Sequence, residues 1–283
     1  MAARWLRTLA AAPLMLSALT AAPARALVPY VAVPSEQNLE GAGLGIAQAA
    51  ARLLRIGQAE EAARLAALTV QLAEAQLRSN QNKEAAVSLA RARELDPKNA
   101  GILFAQGSLA LKNSRPSDAV DLIRQGLKLD SKNPGAYFDL GNAYILMGKS
   151  ADALGAFERA SDLRRDFWEA VNNQALVLFE QKKDSEAIQR WRRVLQIKAA
   201  AEPSLALAAA LNTAKPGNTD SLQLAARALA EEPNYVLETW QKEQLWGARL
   251  RAAAAKLLAE PTLKADVERA QANAGGNDDL GDE

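Results

Sequence analysis

Any chemistry in this chain must run without histidine or cysteine, because its 283 residues contain neither. That removes the thiol nucleophile, the imidazole base and the usual zinc and haem ligands together. Carboxylates, Lys, Tyr and Ser remain. The acid pairs Glu60-Glu61 and Glu231-Glu232 fall on helix surfaces or ends, where carboxylates are solvated. The glycines at 41–45 (GAGLG) precede a helix but follow no strand, and no GxxxxGK[ST] occurs, so neither phosphate-cradling pattern is present. The tryptophans read as core. No catalytic, cofactor or metal site is therefore expected, and no small-molecule substrate. Lys and Arg number 34 against 33 Asp and Glu, a balance with no field for nucleic acid or an anionic membrane.

The order in the chain lies in its repetition. Residues 133–165 (NPGAYFDLGNAYILMGKSADALGAFERASDLRR) read as two short helices around a Gly148-Lys149 turn, opened by Asn133-Pro134. Tyr137, Leu140, Gly141 and Tyr144 share one face of the first helix, and Ala153, Phe157 and Ala160 one face of the second. Such a pair is too small to bury its apolar faces alone. A step of 34 supplies neighbours: Ala85, Ala119, Ala153, Ala187 and Ser221 stand in register. Leu89, Ile123, Phe157, Trp191 and Ala225 follow them, then Ala92, Gly126, Ala160, Val194 and Ala228. Gly107, Gly141, Ala175 and Ala209 mark where paired helices approach closely. A helix pair with this period and these residues resembles the tetratricopeptide repeat (TPR). The resemblance implies an all-α fold, a right-handed superhelical solenoid of helix pairs.

Along the chain, Arg4 and Arg7, an apolar run and Ala24-Arg25-Ala26 give residues 1–26 the pattern of a signal peptide cleaved after Ala26, with an uncleaved membrane anchor as the alternative. Residues 27–42 form an extended arm bearing Tyr30. A degenerate repeat at 43–76, with a turn at Gly57-Gln58, merges into 77–99. Its Ala62 stands 23 residues before Ala85, 11 short of the period, so the segment reads as one continuous helix or a truncated repeat. Four repeats follow at 100–133, 134–167, 168–201 and 202–235. Capping helices fill 236–272, and 273–283 is an acidic, disordered tail.

In proteins of the TPR type, first helices line a groove that holds a peptide. Carrying those positions onto this chain gives Phe104, Ser108, Leu111 and Lys112, then Phe138, Asn142 and Ile145. The next repeat gives Glu169, Asn172, Leu176, Phe179 and Glu180. Only Asn142 matches the carboxylate clamp of TPR co-chaperones, which argues against that subtype. The resemblance implies a non-catalytic scaffold for polypeptide partners, with two settings open. One is an exported adaptor or assembly factor in the periplasm or thylakoid lumen, acting on a membrane-associated complex such as a photosystem. The other is a periplasmic scaffold for envelope biogenesis or secretion. The arm and the Leu-Trp-Gly cap loosely resemble TPR proteins of photosynthetic bacteria.

Overall fold

The computed structural model describes residues 42–79 and 81–275, with no strand among them. The signal peptide, nearly all of the arm with Tyr30, and the tail from 276 lie outside the described residues. The elements are α1 (Ala42–Arg78), α2 (Asn82–Leu95), α3 (Ala100–Lys112), α4 (Pro116–Leu129), α5 (Pro134–Leu146), α6 (Ser150–Leu163), α7 (Trp168–Glu180), α8 (Asp184–Ile197), α9 (Ala201–Ala214) and α10 (Thr219–Glu231). A 3₁₀ turn (Pro233–Val236), α11 (Glu238–Glu243), α12 (Ala248–Leu258), a second 3₁₀ turn (Pro261–Leu263) and α13 (Lys264–Asn273) complete the order. They form two compact units that part within the first turn of α3, at Ile102.

In the first unit α2 folds back on α1. Ala66 clusters with Ala92, and Ala73, Leu77, Ala85 and Leu89 are buried along the same two helices. The Gly57-Gln58 turn does not occur: α1 runs through it unbroken. One interior glycine costs a helix only about 1 kcal/mol. Strong helix formers stand on both sides of Gly57, and no proline interrupts them.

In the second unit the repeat is built from local signals. Asn133 caps α5, its side chain accepting from the Ala136 amide at 2.9 Å, with Pro134 opening the helix. Asn218 caps α10 in the same way. The turns inside three pairs place Ser114, Gly148 and Lys182 in the left-handed region, at φ 55°, 71° and 62°. These residues are spaced by the 34-residue period. Packing then follows the small positions. A Cβ on Gly141 would lie 2.4 Å from the Phe157 ring, and one on Gly107 would lie 2.6 Å from Ile123. In these two pairs the large filler of the second helix thus lies on the smallest residue of the first.

From α7 onward the core is continuous. Phe179, Trp191, Leu205, Leu229, Tyr235, Trp246, Leu250, Leu257 and Leu263 are buried in one cluster. The capping segment is not one helix. Leu245, at φ 66°, and Gly247 separate α11 from α12, so Trp246 drops into the core.

Candidate functional site

The groove positions sit on the first helices α3, α5 and α7, and the structure sorts them by what covers each one. Phe104 and Phe138 turn toward their own second helices. The Phe104 ring occupies the space where Gly126 would carry a Cβ, and Phe138 lies 5.7 Å from Phe157 and 5.1 Å from Phe167 between ring centroids. Asn172 at the equivalent position is buried. It accepts from Trp191 Nε1 at 3.0 Å and donates to Glu202 Oε1 at 3.0 Å. The expectation of an open groove is corrected at Asn172, whose side chain is taken up by Trp191 and Glu202, while Phe104 and Phe138 are half-buried.

Ser108 and Asn142 are half-buried and bonded across neighbouring first helices. The Ser108 hydroxyl donates to Asp139 Oδ2 at 2.5 Å, and Asn173 Nδ2 donates to Asn142 Oδ1 at 3.1 Å; both bonds span 31 residues. At the third step of this ladder stand Leu176 and Leu207, both buried. Burial pushes the Asp139 carboxyl up to about 6, against the Ser108 bond, which lowers it. Leu111 and Ile145 are half-buried beside the ladder. Burial also lowers Lys112 and raises Glu169.

The ladder becomes apolar where the chain covers it with itself. α12 packs against α7 and α9, the first helices of two successive repeats. Arg249 forks onto Asp184 at 2.6 and 2.7 Å, donates to the Phe179 carbonyl, and stands 4.0 Å over the Phe179 ring. Glu180 accepts from the backbone amides of Arg249 (3.1 Å) and Leu250 (2.9 Å), filling the role of a cap at the start of α12. Gly247 allows this approach, since a Cβ there would lie 2.2 Å from the Glu180 side chain. Trp246 Nε1 donates to Glu202 at 3.3 Å. Burial lifts Glu202 to about 7 despite the Asn172, Trp246 and Tyr235 bonds that favour its charge. Leu176 and Phe179 are therefore corrected as well: both are buried in the core cluster that α7 shares with α9 and α12, and they do not face an open groove.

The sequence profile of the tetratricopeptide repeat matches residues 70–134 and 138–203. These residues carry tetratricopeptide repeats. PilF of Pseudomonas aeruginosa shares the TPR fold at 19% identity and a TM-score of 0.54, over 76% of this chain and 99% of that one. A thermophilic TPR protein of Thermus thermophilus matches at 17% and 0.52, over 68% of this chain and 98% of that one. MamA matches at 20% and 0.50, over 56% and 94%. At these identities the likeness concerns the fold alone. No curated protein matches the chain.

Of the TPR groove positions, Ser108, Leu111, Asn142 and Ile145 are thus brought together on α3 and α5, while Asn172, Leu176 and Phe179 are covered. Asp139, Asn173 and Glu202 were missed. The signal for the first two was present as polar residues 31 apart, Ser108 with Asp139 and Asn142 with Asn173. Among the described residues no group of three or more Asp or Glu is placed to hold a metal, and no helix is long and apolar enough to cross a membrane.

Proposed function

We propose that this chain is a non-catalytic adaptor that seats a polypeptide segment on α3 and α5, at Ser108, Leu111, Asn142 and Ile145. The observation that carries this reading is α12, a polypeptide helix already seated on the equivalent faces of α7 and α9. A surface that accepts one segment of chain through Phe179, Glu180 and Glu202 offers, two helices earlier, the same backbone with apolar Leu111 and Ile145 beside amides. Apolar anchors supply contact energy, and amides bond a peptide backbone in either sense. The leader-like pattern of residues 1–26 supports a setting beyond the plasma membrane, in a periplasm or thylakoid lumen, as an assembly factor for a membrane-associated complex.

A photocrosslinking residue at Ile145, compared with one at the exposed Glu158 of α6, tests the reading in membranes of the native host. The expected result is a discrete polypeptide adduct at Ile145 that disappears in Asn142→Ala and does not form at Glu158. Adducts of equal strength at both positions would mean that the ligand surface lies elsewhere.

A further inference from the structure

The repeat register identifies a seat on α1 that no described residue of the first unit covers. With Ala73 equivalent to Gly107, Gly141, Ala175 and Ala209, Leu68 aligns with Ile102, Ala136 and Ala170, and Leu72 with Leu140, Gln174 and Ala208. Of the residues aligned with Leu68, Ile102, Ala136 and Ala170 are 1%, 3% and 0% exposed and Ser204 is half-buried; of those aligned with Leu72, Leu140, Gln174 and Ala208 are 7%, 2% and 0% exposed and Gln106 is half-buried. Leu68 and Leu72 are 55% and 53% exposed, with Leu65 at 46% beside them and Ala75 exposed one turn on.

What covers this face elsewhere is the second helix of the preceding repeat. Gln174 donates to the Phe157 carbonyl (3.1 Å) and to Ser161 (2.9 Å), both on α6. Ala170 packs with Ala160 of α6, and Ile102 with Ala92 of α2. The seat at Leu68 and Leu72 thus fits an alanine-rich helix of this same repeat.

The chain contains such a helix but holds it out of reach. The register is 11 residues short between Ala62 and Ala85, the length in which a turn would reverse the chain. α1 instead runs unbroken for 37 residues, about 55 Å at 1.5 Å per residue. Its upstream half continues straight on from the seat and cannot fold back over it. Ile46, Ala49, Ala50 and Leu53 recur there at helical spacing.

We propose that the seat is filled by the upstream half of α1 from a second copy of the chain. The two α1 helices lie antiparallel about a two-fold axis, and each upstream half covers the other's Leu65, Leu68 and Leu72. This is an exchange of one repeat element between copies, with each copy supplying what the other lacks.

Light scattering on the purified full chain tests the pairing. The parent is expected at twice the chain mass at micromolar concentration, and Leu68→Glu with Leu72→Glu at one chain mass, with unchanged helical circular dichroism. Both leucines are solvent-exposed within one copy, so charge there spares the fold of that copy. A second measurement uses the absence of native cysteine. Mixing Leu68→Cys with Ala50→Cys chains under oxidation is expected to enrich the mixed disulfide over either self-linked product. A monomeric parent, a dimeric double-Glu variant or no enrichment of the mixed disulfide would overturn the proposal.

Discussion

Arg249 grips Asp184 through its two terminal guanidinium nitrogens across 65 residues of sequence. The pair ties the start of α12 to the start of α8, and the same guanidinium stacks on Phe179. A planar fork matches a carboxylate bidentately and stacks on a ring, which a lysine ammonium cannot do together.

Arg249→Ala is therefore expected to cost about 2–3 kcal/mol, the range of charge-assisted hydrogen bonds. Arg249→Lys should recover less than half of that. Urea denaturation checks the stability, and limited proteolysis checks the location, with cleavage within 245–260 rising first. Equal protease resistance in the alanine variant would mean that the ion pair does not hold α12 down.

Glycines in two neighbouring helices should respond with opposite signs. Gly155 lies inside α6 with open space where a Cβ would go, so Gly155→Ala should stabilise by about 0.5–1 kcal/mol. Gly141→Ala gains the same propensity but drives a methyl into Phe157. Overpacking of about 1–3 kcal/mol should exceed the gain. Phe157→Ala, from a fully buried site, should cost about 3–5 kcal/mol. Thermal melts of the three variants against the parent decide the order.

Burial raises three carboxyls, and the two raised furthest, Glu202 and Asp139, dominate the pH dependence. Glu202 is raised from 4.5 to about 7 and Asp139 from 3.8 to about 6, both chiefly by burial. A raised acid binds more protons folded than unfolded, so stability falls as pH rises between the two values. Melting temperature should be higher near pH 5 than near pH 8 by roughly 5 °C or more. Glu202→Gln with Asp139→Asn should flatten that slope. A melting temperature that rises over the same interval would contradict the assignment.

The two asparagines of neighbouring repeats should separate binding from stability. Asn172 is buried and satisfies both Trp191 and Glu202, so Asn172→Ala leaves two buried groups short of a partner and should cost about 2 kcal/mol or more. Asn142, half-buried, makes one amide–amide bond, and Asn142→Ala should cost about 1 kcal/mol or less while weakening capture at Ile145. Calorimetry and the crosslinking yield read the two effects independently.

The proposed export is tested by intact-mass measurement of protein from the native host. The expected chain begins at Leu27. A soluble product retaining residues 1–26 would overturn it, and a retained N-terminus in the membrane fraction would support the anchor.

The helix pairs were legible because their packing is local in register. Ala153 and Phe157 repeat at 34, and Phe157 lies on Gly141 of its own pair, a relation one sequence displays. The groove was less legible. Phe104, Phe138 and Asn172 occupy one repeat position, and whether it faces solvent depends on rotamers and on the partner across the pair. Phe179 is covered by α12, whose seat on α7 depends on the Arg249 side chain reaching Asp184 and its backbone amide reaching Glu180, contacts no periodicity announces. Gly57 misled as a turn because a single glycine is a weak breaker among strong helix formers.

The cap at the C-terminal end also limits assembly. α13 and the two 3₁₀ turns close over α10, burying Tyr235 and Leu263. A chain with adhesive faces at both ends could add copies head to tail without limit. With α10 sealed in this way, the two-fold pairing proposed through Leu68 and Leu72 would close after two copies and leave no template for a filament.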